Sequence, residues 1–155
     1  MGWGELADVL CDVRTGALVR KEAKRLLRLQ CGELAVGARV TLARRPSRAI
    51  VAMLRDDAES LVLEALAGNP RTTGADIAKI LARSDAPPRF LAHVAASPWS
   101  VRRDVLQAVA RHAHTPHAVA LGIVHALSVD ELRTVARDPA TPRLVRTASE
   151  RRLRA

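Results

Sequence analysis

The sequence predicts an all-α fold, a single α-solenoid (superhelix) of stacked helix pairs, on three observations. Aromatic residues are nearly absent, helix-start signals recur along the chain, and short motifs return at intervals of about 24–28 residues. Trp3, Phe90 and Trp99 are the only aromatics and there is no tyrosine. A core must therefore be built from Leu, Val, Ile and Ala, which suits closely packed helices and suits a sandwich or barrel poorly. No run alternates as a half-buried strand would, and no Asn-Gly or Asp-Gly hairpin signal occurs.

Taken in order, residues 1–34 read as an N-terminal helical cap. Within it, Val19, Ala23, Leu26 and Leu27 mark the apolar stripe of a helix after Gly16, with Gly32 placed to end it. Residues 35–155 read as one continuous run of repeats. Ser97-Pro98, Thr115-Pro116 and Thr141-Pro142 each place a hydroxyl N-cap before a proline at the first helical position. Ser128 with Glu131 forms a capping box, and Thr73 with Asp76 a weaker one. After Pro98 the apolar stripe is Val101, Val105, Ala108 and Val109. Ala118–Leu127 is apolar on every side, interrupted by His125, and is expected to be a central helix buried all round in preference to a dimer interface.

The motifs that open helices begin at Pro46, Gly74, Pro88, Pro116 and Pro142, with successive separations of 28, 14, 28 and 26 residues. A second piece precedes several of them, as in Leu66-Ala67-Gly68-Asn69-Pro70 and Val135-Ala136-Arg137-Asp138-Pro139. The spacing of 14 leaves open half a repeat or an irregular insertion. The segments starting at Leu66, Ser97 and Val135 resemble the bacterial leucine-rich repeat variant and related short HEAT-like repeats. The resemblance covers roughly residues 35–155 and implies a helical solenoid, but it implies no particular function. One kind of variant repeat carries a cysteine-ligated iron–sulfur cluster ahead of its repeats. Cys11 and Cys31 are too few for a four-cysteine site, so no cofactor is expected. Both cysteines read as structural.

Charge supplies the functional signal. There are 25 Lys and Arg against 16 Asp and Glu, a net charge of +9. Arginine far outnumbers lysine and alanine is abundant, as in a GC-rich bacterial genome. That bias explains the choice of cation and leaves the cationic excess to be explained. The excess lies at both ends, with 11 basic against 7 acidic residues over 1–58 and 10 against 5 over 99–155. Arg20, Lys24 and Arg28 recur every four residues, with Lys21 and Arg25 beside them. Arg151, Arg152 and Arg154 load the C-terminal helix. The candidate macromolecule-binding residues are Arg44, Arg45, Arg48, Arg102, Arg103, Arg143 and Arg146, all near recurring turns.

An extended arginine-rich surface suits charge-assisted contacts to an acidic protein. The alternative is sequence-independent DNA or RNA binding by the same face, for which interleaved aromatics are lacking. One continuous basic stripe would favour nucleic acid; scattered arginines with an exposed apolar patch would favour a protein. His112, His114 and His117 read as a helix end and turn in preference to a metal site, since no carboxylate or thiolate joins them. Trp99 reads as packing under a turn. With Arg102, Arg103 and Asp104 it only faintly resembles HEAT-like DNA glycosylases. No nucleophile–base pattern, phosphate-cradling glycine loop or His-Glu-x-x-His motif occurs, so no enzyme is expected. Nor does a basic leader precede an apolar run, and the longest uncharged stretch contains Pro116 and four histidines. A cytoplasmic protein with no membrane span is the expectation.

Overall fold

The computed structural model describes residues 1–155 and is all-helical, without strands. The helices are α1 (Trp3–Cys11), α2 (Ala17–Cys31), α3 (Val36–Ala43), α4 (Arg48–Leu54), α5 (Ser60–Ala67), α6 (Gly74–Leu81), α7 (Pro88–Ala96), α8 (Arg103–Arg111), α9 (His117–Ala126), α10 (Val129–Arg137) and α11 (Arg143–Arg154). A 3-10 turn, Pro98–Val101, precedes α8. None is long and apolar enough to cross a membrane. The chain forms two compact units, Met1–Asp76 and Ile77–Ala155, the boundary falling inside α6.

In the first unit α1 and α2, which make up the expected cap, pair with each other and both touch α4. α3 lies beside α5, and α4 packs on both. The core consists of Leu6, Leu27, Leu42, Ile50, Leu63 and Leu66, each 1% exposed or less. In the second unit α7, α9 and α11 form one row and α8 and α10 another. Phe90, Leu91, Val94, Val109 and Val135 fill the space between them with no exposed surface.

The spacing of 14 residues resolves into a single helix. Each longer interval between helix-opening motifs holds two helices, whereas only α6 lies between Gly74 and Pro88.

Three local expectations need correction. Ser97-Pro98 does not open the following α-helix. It opens the 3-10 turn, with the Ser97 hydroxyl accepting from the Trp99 N–H at 3.3 Å. Arg102 is then extended and α8 begins afresh at Arg103. Val101 consequently leaves the expected stripe and is 81% exposed, while Val105 and Val109 are buried.

Thr115 and Thr141 do not cap α9 and α11 either. Pro116 and Pro142 occupy the N-cap positions with extended backbones. The threonines before them turn inward. The Thr115 hydroxyl donates back to the Val109 carbonyl at 2.6 Å, as Thr72 does to Leu66 at 2.6 Å. The buried Thr141 hydroxyl has no partner. Finally, Val19 faces solvent (58% exposed), although Ala23 and Leu27 on the same helix are buried.

The box of Ser128 and Glu131 forms as the spacing predicts. The Ser128 N–H donates to Glu131 at 2.7 Å and the Glu131 N–H returns to the serine hydroxyl at 3.4 Å. Thr73 and Asp76 form the same reciprocal pair.

Polar ties bind one turn to the turn before it. Asn69 is buried, and its Nδ2 donates to the carbonyls of Ala43 at 2.6 Å and Arg45 at 2.8 Å. Its Oδ1 accepts from the Arg71 N–H at 2.8 Å. In the second unit His112 takes the corresponding place. Its Nε2 meets the Arg83 carbonyl at 2.7 Å, while its Nδ1 accepts from the His114 N–H at 3.1 Å. With Nδ1 accepting, Nε2 is the ring nitrogen that donates to the carbonyl. Buried carbonyls at helix ends have no partner within the helix, so such side chains complete their bonding.

Candidate macromolecule-binding surfaces

The seven arginines fall into two groups. Four are engaged within the protein. Arg45 pairs with Asp8 at 2.7 Å and Arg102 with Asp104 at 3.0 Å. Arg48 bonds Asp76 at 2.5 Å and the Arg71 carbonyl at 2.7 Å. Arg103 grips Glu131 through two nitrogens and also donates to the Ala126 carbonyl at 3.0 Å. The other three, Arg44, Arg143 and Arg146, make no ion pair; Arg44 and Arg143 are exposed and Arg146 is half-buried.

Arg48 and Arg103 belong to one design. Each opens a helix and reaches an acidic residue 28 positions later, and that residue is the acidic partner of a capping box, three positions after its N-cap. Burial works to raise the Asp76 pKa, but bonds from Arg48 and Thr73 outweigh it and hold the carboxyl well below its ordinary value. Arg103, the Ser128 N–H and hydroxyl, and Gln107 hold Glu131 low in the same way. These guanidiniums clamp helices. They are poor choices for contacting a partner, since freeing either one uncovers an acidic group.

Net positive charge is concentrated in the second unit, which carries 13 Lys and Arg against 6 Asp and Glu. On α11, Arg143, Arg146 and Arg151 lack acidic partners, and Arg154 stands 4.0 Å from Glu150. The cationic face expected on α2 is divided. Arg20 turns inward and donates to the Thr15 carbonyl at 2.6 Å, Arg25 pairs with Glu22, and Lys21, Lys24 and Arg28 remain unpaired.

No family model, curated protein or solved structure matches the chain. The surface must be judged on its own geometry.

The α7–α9–α11 row is open on its outer side. Ala118–Leu127 is therefore not buried all round. Ala120, Ile123 and Val124 face the core, while Ala118, Gly122, His125 and Ala126 face solvent. A groove of about 400 Å³ runs between α7 and α9, floored by Ala92, Ala96, Val119 and Ile123 with no charged group. A second, of about 440 Å³, lies between α9 and α11 and is lined by Leu121, Leu144 and Ala148 together with His125, Arg151 and Arg152. The sequence alone did not single out this second set. Its signal is present, however: Leu144, Ala148 and Arg151 or Arg152 follow one another at steps of four, then three or four, along one helix face.

The remaining candidates have local roles. His112 and His114 bond neighbouring groups, and no group of His, Cys, Asp and Glu side chains is arranged to hold a metal ion. Cys11 and Cys31 are free and half-buried, and burial raises both thiols above their ordinary pKa, away from reactive thiolate. Trp99 is half-buried at the 3-10 turn.

Proposed function

We propose that this chain is a non-enzymatic helical-repeat scaffold of the leucine-rich-repeat-variant or HEAT-like kind, a short cytoplasmic solenoid that binds another protein. What supports the repeat reading is the recurrence of the same ties: an arginine to the acidic residue 28 positions on, and a turn side chain to the carbonyls of the preceding turn. Stacked repeats need such contacts because each can bury its apolar face only against its neighbours.

The observation that favours a protein partner is the open α7–α9–α11 row. It offers apolar grooves beside unpaired arginines, while four of the seven turn arginines are spent on internal pairs. Exposed apolar surface next to cations matches an acidic protein surface better than a phosphate backbone. The alternative reading, sequence-independent nucleic-acid binding, draws on the unpaired arginines of α11.

The test is affinity capture with the full chain and with an Arg143→Glu/Arg146→Glu/Arg151→Glu variant, followed by titration of the purified captured protein. The reading expects a protein that survives nuclease treatment, is lost by the variant and binds directly in titration. Capture abolished by nuclease would replace it with the nucleic-acid reading.

A further inference from the structure

The α9–α11 groove has two chemically distinct ends. The helices run in the same direction there, because Arg152 reaches from the last turn of α11 to the His125 carbonyl at the last turn of α9, at 3.2 Å. Toward the start of α11 the walls are Leu121, Leu144 and Ala148, with Leu144 40% exposed. Toward its end they are His125, Arg151, Arg152 and Ala155, and no Asp or Glu side chain lines the groove. A lone exposed leucine needs no explanation. One that continues an apolar trough into a pair of guanidiniums does.

Charge decides what fits. A second copy would bring the same cationic groove and the same basic unit, with 13 basic against 6 acidic residues, so like charges would meet across an isologous interface. An acidic segment would meet the opposite charge. Polarity also sets its direction. Acidic side chains favour a helix N-terminus, and Arg151 and Arg152 stand at the C-terminal ends of α9 and α11. We infer that this groove takes a short acidic amphipathic helix of a partner protein, lying antiparallel to α9 and α11. Its first-turn carboxylates lie on Arg151 and Arg152, and its apolar residues one and two turns later lie on Leu144, Leu121 and Ala148. α11 is 12 residues long, which at 1.5 Å per residue gives a track of about 18 Å, or three turns of partner helix.

This inference rests on the protein-binding reading above and narrows it to one groove and one partner chemistry. The test selects random 14-residue peptides on phage against the full chain and measures the selected peptides by fluorescence anisotropy. The expected peptides place Asp or Glu ahead of apolar residues spaced three or four apart. Leu144→Glu and Arg151→Glu each weaken them about tenfold or more, with unchanged helical circular dichroism. Arg14→Glu, exposed and in the other unit, leaves them within about twofold. Peptides lacking acidic residues, no enrichment at all, or a dimer that Leu144→Glu dissociates would overturn the inference. Acidic peptides lost by Arg44→Glu but indifferent to Leu144→Glu would overturn it while leaving the protein-binding reading standing.

Discussion

Replacing Asn69 with alanine removes three hydrogen bonds at once, and their surroundings give the cost. The Ala43 carbonyl receives Asn69 at 2.6 Å in a fully buried setting, so losing its donor costs about 1–3 kcal/mol. The Arg45 carbonyl and the Arg71 N–H are part-buried and can recover water, adding about 0.5–1.5 kcal/mol between them. The expected loss is about 1.5–4.5 kcal/mol, a large fraction of the roughly 5–15 kcal/mol by which a domain is stable. Asn69→Asp should cost at least as much, because it sets a carboxylate against two carbonyl oxygens and keeps only the bond from Arg71. Urea unfolding followed by circular dichroism measures both variants. Asn69 lies in the first compact unit, so the transition containing that unit is the one to read. A loss below about 0.5 kcal/mol for both would refute the idea that these ties hold neighbouring turns together.

Other outcomes follow from the same structure. Thr115→Val should lose about 1 kcal/mol through its bond to Val109, whereas Thr141→Val should be neutral or stabilising because that buried hydroxyl bonds nothing; parallel urea melts compare them. Gly122→Ala should raise stability by about 1 kcal/mol, since a Cβ there meets no atom within 4 Å and glycine is a poor residue mid-helix; thermal melts check it. Asp76 and Glu131 have folded-state pKa values held below their ordinary ones. The stability they contribute is therefore full above the unfolded carboxylate values near pH 4 and is lost as pH falls toward the folded ones. Urea midpoints measured down an acid series should fall below about pH 4, and fall less steeply in Asp76→Asn/Glu131→Gln.

How much the sequence disclosed depends on the range of the interaction. The helices were legible because capping boxes such as Ser128–Glu131 are encoded within four residues. Pro116 and Pro142 stand at the N-cap, one place before the expected first helical position, because the threonines before them turn inward to the core, a choice made by tertiary burial. Ser97-Pro98 reads like the other helix starts, yet it gives a 3-10 turn because Arg102 is extended and breaks the helix. The ties of Asn69 and His112 span 26 and 29 residues and leave no local mark. The arginine clamps were within reach. Aligning the boxes at Asp76 and Glu131 places an arginine 28 residues before each, and that coincidence would have assigned Arg48 and Arg103 to internal pairs. For the outer side of α9, composition alone misled. Ala118–Leu127 is apolar apart from His125, but its exposed side is mostly alanine and glycine, which tolerate solvent without a covering layer.

The central claim is that the basic surface serves a protein and not a phosphate backbone, and a salt titration tests it most directly. A labelled duplex and a labelled single strand are titrated with the full chain at low and at physiological salt. The account predicts weak binding at low salt from net charge alone and none at physiological salt. Binding that persists at physiological salt, falls linearly on a log–log plot with a slope of several phosphates, and is lost in Arg143→Glu/Arg146→Glu/Arg151→Glu would contradict it.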